Sequence, residues 1–197
     1  MFTFETAIRK LINTMNFEIE TELRPALGYN ENLIWTGKPK TGIIFRTADI
    51  YLIPFSLIWF GFAIFWEYNV VRAGFTPFAL FGLPFIAVGL YISIGRFYID
   101  AWRRKRTIYG ITDNRVIIKS GLFVKEIKSL NIRTMSDLSF KEKKDGSGTI
   151  NFGPIDFRYS FFNGIGYWPG IKPTPSFEFI DEVRTVYNIL IDQQRKS

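Results

Sequence analysis

Two long apolar runs interrupt a chain that otherwise mixes polar and hydrophobic positions. Residues 50–66 and 73–95 are seventeen and twenty-three residues without a charge. As helices they would measure about 25 Å and about 35 Å, against about 30 Å for the hydrocarbon core of a bilayer. Neither run shows the polar stripe that a helix of a soluble bundle presents to water. We therefore predict a transmembrane hairpin within 49–102, with antiparallel helices at about 50–68 and 76–98.

Prolines and small residues affect the expected shape of this hairpin. Pro54 and Pro77 fall in the predicted first turns, where a missing N–H costs little. Pro84 lies in mid-span and is expected to bend the second helix by freeing the carbonyl of Leu80. Small residues suited to close helix contact are Gly82, Gly89 and Ser93.

The distribution of charge predicts the orientation of the hairpin. The whole net charge of +7 lies in residues 101–197, which hold seventeen basic and ten acidic residues. The link between the helices offers only Arg72 against Glu67, whereas basic residues precede the first span and follow the second. By the positive-inside rule, we predict a multi-pass protein of the plasma (inner) membrane with both termini cytoplasmic.

Residues 1–30 are predicted to contain an amphipathic helix that ends at Arg24 and Pro25. Such a helix could lie on the membrane or a neighbouring subunit, or pack on the chain's own C-terminal domain, and both interpretations stay open. Residues 31–48 are then a cytoplasmic linker before the membrane. Apolar residues recur every three or four positions at Phe4, Ile8, Leu11, Ile12, Met15 and Ile19.

Beyond Arg106 the hydrophobic period changes from that of a helix to that of strands. Residues 107–112 and 115–119 flank Asp113 and Asn114, a two-residue turn of the kind that hairpins favour. Further strands are predicted at 122–131, 137–143, 149–152 and 157–161, with a hairpin turn at 144–148 and a Gly/Pro-rich loop at 163–175.

The chain is predicted to close with an amphipathic helix at 177–194. Acidic residues in its first turns and basic residues at its end suit the helix dipole. Several antiparallel strands followed by one helix indicate a small split β-barrel that the helix caps. The apolar face of the helix consists of Phe179, Ile180, Val183, Tyr187, Leu190 and Ile191.

Five stretches of the chain, taken as a set, form a pattern seen in a known family. They are ENLIWTGKP (31–39), IPFSLIWFGFAIFWE (53–67), GLPFIAVGLYISIGRFYIDAWRR (82–104), YGITDNRVIIKSG (109–121) and DGSGTINFG (145–153). Together with the final helix, they resemble bacterial membrane proteins that carry a pleckstrin-homology-like (bPH) domain.

This resemblance implies an architecture rather than an activity. The fold class is an α+β membrane protein, with a two-helix transmembrane hairpin and a cytoplasmic PH-like split β-barrel at 103–197. The resemblance carries over no catalytic residue and no cofactor. PH-like domains elsewhere bind phosphoinositides through basic residues of the first loop, whereas the first loop here, TDNR (112–115), has little positive charge.

Composition narrows the possible chemistry. The chain has no Cys and no His, which excludes thiol nucleophiles, thiolate–zinc sites and histidine bases or ligands. The grouped acids Glu178, Asp181 and Glu182 are explained by a helix start, and the predicted span interiors carry no charge that could relay ions or protons. We predict a protein that is not an enzyme and uses no cofactor or metal. A lipid-modifying enzyme is the last alternative.

The basic cluster Arg103, Arg104, Lys105 and Arg106 follows the second span and is the candidate for lipid headgroup contact. Anionic headgroups attract each nearby basic residue by about 1 kcal/mol. Setting the topology is the favoured interpretation of the cluster and needs no specific ligand, and the two roles are compatible. The DGSG stretch (145–148) is expected to be a hairpin turn rather than a phosphate nest. The aromatic stretch 157–168 is expected to be a sheet edge and loop rather than an interfacial anchor. We predict no contact with nucleic acid.

These observations favour a membrane-anchored, non-catalytic PH-like module. Its partners would be the lipid bilayer and either another protein or further copies of itself at the cytoplasmic membrane face. The alternative is a module that responds to anionic lipid headgroups through its basic cluster.

Overall fold

The computed structural model describes residues 17–74, 77–121, 125–135, 137–154 and 174–196. The chain divides into two compact units. The first unit, which contains the sheets, is Met1–Thr41, Arg103–Pro154 and Thr174–Ser197, and the second is Gly42–Trp102 with Ile155–Pro173.

The first unit contains a four-stranded antiparallel sheet in the order β1-β2-β3-β4. The predicted hairpin around Asp113 and Asn114 is confirmed, because the strands on either side pair with Tyr109 opposite Ile118. The strands are β1 (Leu33–Gly37), β2 (Ile108–Thr112), β3 (Arg115–Ser120) and β4 (Glu126–Asn131).

Strand β1 lies in the segment 31–48, which the sequence analysis assigned to a linker. It pairs with β2 from Leu33 opposite Thr112 to Gly37 opposite Tyr109. Trp35 projects toward the core, where its ring centroid lies 5.6 Å from that of Phe177. In the sequence, both apolar runs therefore lie between the first and second strands of one sheet. The sheet-forming unit begins well before residue 103.

A second antiparallel sheet has the order β5-β6-β7, with β5 at Leu138–Glu142, β6 at Gly148–Phe152 and β7 at Ser176–Ile180. The predicted β5–β6 hairpin is confirmed. The prediction of one helix over 177–194 is wrong at its start, because 176–180 pair with β6 as a strand. Phe179 and Glu182 have φ of 51° and 48°, which a helix cannot contain, so the last helix begins only at Val183.

The core of the first unit lies between these sheets and the last helix. That helix, Val183–Lys196, contributes its predicted apolar face through Val183, Val186 and Leu190, which pack with residues of both sheets. Among the described residues the strands form two separate sheets rather than the closed barrel that the sequence suggested. The buried core residues are Tyr109, Ile111, Val116, Ile118, Ile132, Ile150, Phe152, Phe177, Ile180, Val183, Val186 and Leu190.

The described part of the N-terminal helix, α1 at 17–23, packs on the first unit itself. Ile19 and Leu23 are buried against Ile108 and Ile117 in a second, smaller cluster. A short 3₁₀ turn at Arg24–Ala26 ends the helix, as Pro25 predicted. Of the two interpretations left open, packing on the protein is the one that these residues adopt; the earlier part of the predicted helix lies outside the described residues.

The described part of the second unit contains two long apolar helical segments. Helix α2 runs over Asp49–Ala73, and Pro54 is therefore inside it rather than in its first turn. The second segment is a 3₁₀ turn at Pro77–Phe81, α3 at Leu83–Leu90, a π-helical turn at Tyr91–Gly95 and α4 at Arg96–Lys105. Pro84 lies in the first turn of α3, so the expected break in mid-span is a junction between two helix types.

Small residues allow the two segments to approach closely, as predicted for Gly82, Gly89 and Ser93. All three are buried. A Cβ added at Gly89 would lie 3.1 Å from both Cα and Cβ of Phe60, so α2 and α3 are in direct contact at this level. The segments are therefore antiparallel neighbours, because Asp49 near the start of α2 contacts Arg96 near the end of the second segment.

The absence of native cysteine allows this helix register to be tested. A variant with Phe60→Cys and Gly89→Cys is expected to form a disulfide under mild oxidation. The two Cβ positions are 3.1 Å apart, so a small separation of the helices brings them to the distance of about 3.5–4.5 Å that suits that bond. Pairing Gly89→Cys with Phe62→Cys is the matched control, since Phe62 is exposed on another face of α2. Gel mobility with and without reductant measures the yield, and equal cross-linking in both variants would contradict the register.

Candidate functional site

The structure divides the predicted basic cluster into an inner and an outer pair. Arg103 lies 3.7 Å from the carboxylate of Glu178. Arg104 is only 2% exposed, and its guanidinium carbon lies 5.4 Å from the ring centroid of Phe179. These two side chains therefore pack against β7. Lys105 and Arg106 are exposed to solvent, so this outer pair is the more accessible part of the cluster.

The end of β7 also contacts the segment that precedes the apolar helices. The carbonyl of Phe179 accepts a hydrogen bond of 2.8 Å from the backbone N–H of Lys40. The Nζ of Lys143 lies 4.9 Å from the Phe179 ring centroid. Lys40 precedes the apolar helices in the chain and Arg104 lies at their end, and both contact Phe179. The backbone of Phe179 has a φ of 51°, which is strained for any residue other than Gly.

An ion-pair network closes the same end of the first unit. The ammonium of Lys40 bridges Asp145 at 2.9 Å and Asp181 at 3.2 Å. Hydrogen bonds from Ser147 and then from Lys40 lower the pKa of Asp145, and the hydrogen bond to Asp145 is the main cause that raises the pKa of Lys40. The DGSG stretch is thus a turn whose own aspartate accepts the Ser147 N–H and O–H.

The first loop uses its single arginine internally. Arg115 donates from Nε and Nη2 to the two carboxylate oxygens of Glu31, both at 2.7 Å, and also donates to the carbonyl of Ala26. Glu31 accepts further hydrogen bonds from Gly28 N–H and the hydroxyl of Thr112. This bidentate pair fastens the segment before β1 to the β2–β3 turn. The expectation of little available positive charge in this loop agrees with the geometry.

The Glu31 network makes stability depend on pH. The hydrogen bond from Arg115 is the largest cause that lowers the pKa of Glu31 from 4.5 to about 2. Its contribution is therefore complete above pH 4.5 and is lost as pH falls toward 2. We expect the free energy of unfolding to fall more steeply over this window in the native chain than in Glu31→Gln, as measured by denaturant titration. Parallel pH profiles would contradict this role.

The second unit carries an unusually large exposed apolar surface. Both helical segments are long and apolar enough to cross a membrane, by length and composition. Large side chains along α2 are exposed over most of its length, and α3 and the turns beside it continue the pattern. The most exposed of these residues on α2 are Ile50, Tyr51, Phe55, Ile58, Phe62, Phe65 and Tyr68.

Four charges of alternating sign are withdrawn from water at one end of these helices. The side chains of Arg96 and Asp49 are 2% and 4% exposed, and Arg96 Nη1 donates to Asp49 Oδ1 at 2.6 Å. Arg46 Nη2 lies 3.2 Å from Asp100, in a second pair that is also largely buried. The sequence placed Asp49 and Arg96 at the ends of the uncharged runs but did not indicate this pairing, which depends on the helix register.

Three other features concern possible metal ligands, the aromatic stretch and the grouped acidic residues. Among the residues that the structure describes, no group of three or more metal-ligating acidic side chains is present. The predicted strand at 157–161 and the aromatic stretch 157–168 lie outside the described residues. Glu178 contacts Arg103, Asp181 contacts Lys40, and Glu182 is exposed in the turn before the last helix, so these three acids do not form one site.

Comparison with known proteins tests the resemblance seen in the sequence. Searches of curated proteins and of solved structures gave no significant match. The family model described as a bacterial PH domain matches residues 62–192, which is 131 of 197 residues. The match begins within α2 and includes six of the seven strands that the described residues form, together with most of the last helix. A PH-like domain is typical of a non-catalytic binding module, and this chain belongs to the bacterial PH domain family.

Proposed function

We propose that the chain is a membrane-anchored, non-catalytic PH-like module that holds another protein, or further copies of itself, at the cytoplasmic membrane face. The observation that carries this proposal is the exposed apolar surface along both helical segments. Monomeric soluble proteins rarely expose a contiguous apolar patch larger than a few hundred Å². Contact with lipid acyl chains would remove the unfavourable free energy of exposing these side chains to water.

The dimensions of the helices support a spanning hairpin. Helix α2 has 25 residues, which corresponds to about 37 Å, and the second segment has 29 residues over Pro77–Lys105. Each exceeds the thickness of about 30 Å that the hydrocarbon core requires. The four-charge cluster needs little water, because its members neutralise one another within the helix pair. It therefore suits the boundary of the hydrocarbon region.

Charge supports an orientation with both termini inside. Arg103, Arg104, Lys105 and Arg106 lie at the end of the second segment, whereas Arg72 is the one basic residue near the link. Since Lys and Arg remain on the cytoplasmic side, the sheet-containing unit faces the cell interior and little of the chain is outside. A module of this form acts on the cytoplasmic side.

Open sheet edges offer a means of protein–protein contact. Among the described residues, the strand orders leave β1 and β4 at the edges of one sheet, and β5 and β7 at the edges of the other. Edge strands carry backbone groups that another strand can pair with. Strand β4 is the most open of these, with Ile127 half exposed among polar neighbours.

The test is the state of the full chain after extraction from membranes in mild detergent. We expect light scattering and pull-down to recover a stable oligomer or a complex with another protein. Replacing Ile127 by Asp is expected to weaken that assembly, while Arg133→Asp, an exposed position just beyond β4, serves as control. A clean monomer that recovers no partner would count against the interaction role.

An anionic-lipid role is the second candidate, and the exposure of Lys105 and Arg106 favours it. Replacing both by Gln is expected to weaken retention of anionic phospholipid by the full chain in detergent, by about five-fold per residue at low salt. The matched control replaces Arg195 and Lys196, an exposed basic pair at the end of the last helix. Native mass spectrometry measures retention, and equal losses in both variants would remove the idea.

A further inference from the structure

The segment before α2 exposes apolar side chains that the predicted spans do not include. Ile43 is 51% exposed and Phe45 is 65% exposed. Both belong to the second compact unit, whereas the sequence analysis placed them in a cytoplasmic linker before the membrane. Exposing two large apolar side chains to water in a linker is unfavourable.

Specific contacts hold residues 43–46 against the helices. The ring of Phe45 meets that of Phe97 edge-on, with centroids 5.4 Å apart. The backbone N–H of Arg46 donates to Asp49 Oδ2 at 2.6 Å, and its side chain reaches Asp100 at 3.2 Å. Three contacts therefore hold residues 43–46 against α2 and α4 while the apolar side chains remain exposed.

Exposed aromatic side chains of α4 lie at the same level. Arg46 contacts Asp100, and Tyr98 and Trp102 flank Asp100 on α4 at two residues' distance. Because a helix rises about 1.5 Å and turns by about 100° per residue, the Cα atoms of Tyr98 and Trp102 lie about 3 Å from that of Asp100 along the axis, on a different face of α4. Exposed aromatic side chains thus occur on more than one side of the helices at the level of the four-charge cluster. Amphipathic rings prefer the boundary between headgroups and acyl chains.

We infer that residues 43–45 are an interfacial anchor, which inserts Ile43 and Phe45 into the headgroup–acyl boundary of the cytoplasmic leaflet. The inference rests on the proposed function, since it extends the lipid-contacting surface of the hairpin to the residues that precede α2. The ligand is a phospholipid surface rather than a protein. The anchor adds a third membrane contact to the two spans and sets the depth at which the charge cluster lies.

Single spin labels test this inference in the full chain, because the native sequence has no Cys. Ile43→Cys and Phe45→Cys carry the test labels. Phe62→Cys, exposed on α2, reports the span, and Lys38→Cys, exposed before the segment, reports the aqueous side. The chain is reconstituted in phosphatidylcholine–phosphatidylglycerol vesicles, and relaxation by oxygen is compared with relaxation by a water-soluble nickel chelate.

Labels at 43 and 45 are expected to favour oxygen over nickel, at a depth between those of the labels at 38 and 62. A nickel-dominated signal at both positions, with a lipid-like signal at 62, would overturn the anchor and leave the span intact. Low accessibility to both reagents would show that protein covers the segment, which also overturns it. A water-like signal at 62 would instead remove the spanning hairpin. Ile43→Cys leaves the Phe45–Phe97 contact in place, so loss of folding in one variant does not decide the result.

Discussion

Replacing Asp49 by Ala is expected to lower the free energy of unfolding by about 3–5 kcal/mol, the usual cost of removing one partner of a buried ion pair. Arg96 would lose the carboxylate that lies 2.6 Å from its Nη1, in a site where both side chains are almost fully withdrawn from water. Asp49 also caps the N–H of Arg46. The effect should therefore exceed that of any single exposed charge.

Unfolding in a denaturing detergent titration measures this effect. The charge-reversed double variant, with Asp49→Arg and Arg96→Asp, should recover part of the loss because it restores opposite charges. Glu126→Ala is the control, since the Glu126–Lys128 pair at 3.6 Å is exposed and contributes at most about 1 kcal/mol. An Asp49 variant as stable as the Glu126 variant would mean that the buried pair does not hold the helices together.

Replacing Phe177 by Ala is expected to cost about 3–5 kcal/mol through lost packing and a cavity. Phe177 is fully buried, and its ring contacts those of Trp35, Tyr109 and Phe152 at centroid distances of 5.6, 4.5 and 4.9 Å. One side chain thus joins β1, β2 and β6 to β7. Its loss should loosen both sheets together.

Thermal unfolding of the full chain in detergent tests this second effect. Phe17→Ala is the matched control, because Phe17 is exposed on α1 and its removal should change stability by less than about 0.5 kcal/mol. If the two phenylalanine variants unfolded alike, Phe177 would not occupy the centre of the core, and its assignment to a strand would be in doubt.

The apolar helices were predictable because hydropathy is a local property. Residues 50–66 and 73–95 each carry their signal within one window. Helix α2 contains the first run, and the second segment contains the second run from residue 77 onward. Local helix type was less predictable. Pro84 falls in a first turn only because a 3₁₀ turn ends at Phe81, which no periodicity indicates.

The strands that the sequence missed depend on distant partners. Strand β1 is five residues long, and its partner β2 follows only after the entire apolar region. Strand β7 was assigned to a helix because Phe179, Ile180 and Val183 recur at helical spacing. The positive φ of Phe179 and Glu182, and pairing with β6, override that spacing.

The candidate site was predictable as a cluster but not as a geometry. Four consecutive basic residues mark the region, yet sequence alone does not say that Arg104 is buried against Phe179 while Lys105 and Arg106 are exposed. Nor does it show that Lys40 contacts Asp145 and Asp181, because these residues meet only once both sheets are formed.

Topology labelling tests the spanning hairpin most directly. Single cysteines are placed at Ala73, the exposed end of α2, and at Lys144, in the β5–β6 turn. A membrane-impermeant maleimide is then added to intact bacterial spheroplasts. We predict labelling at 73 without permeabilisation and at 144 only after it. Protection of both positions until the membrane is opened, or recovery of the folded chain in the aqueous fraction, would contradict the account.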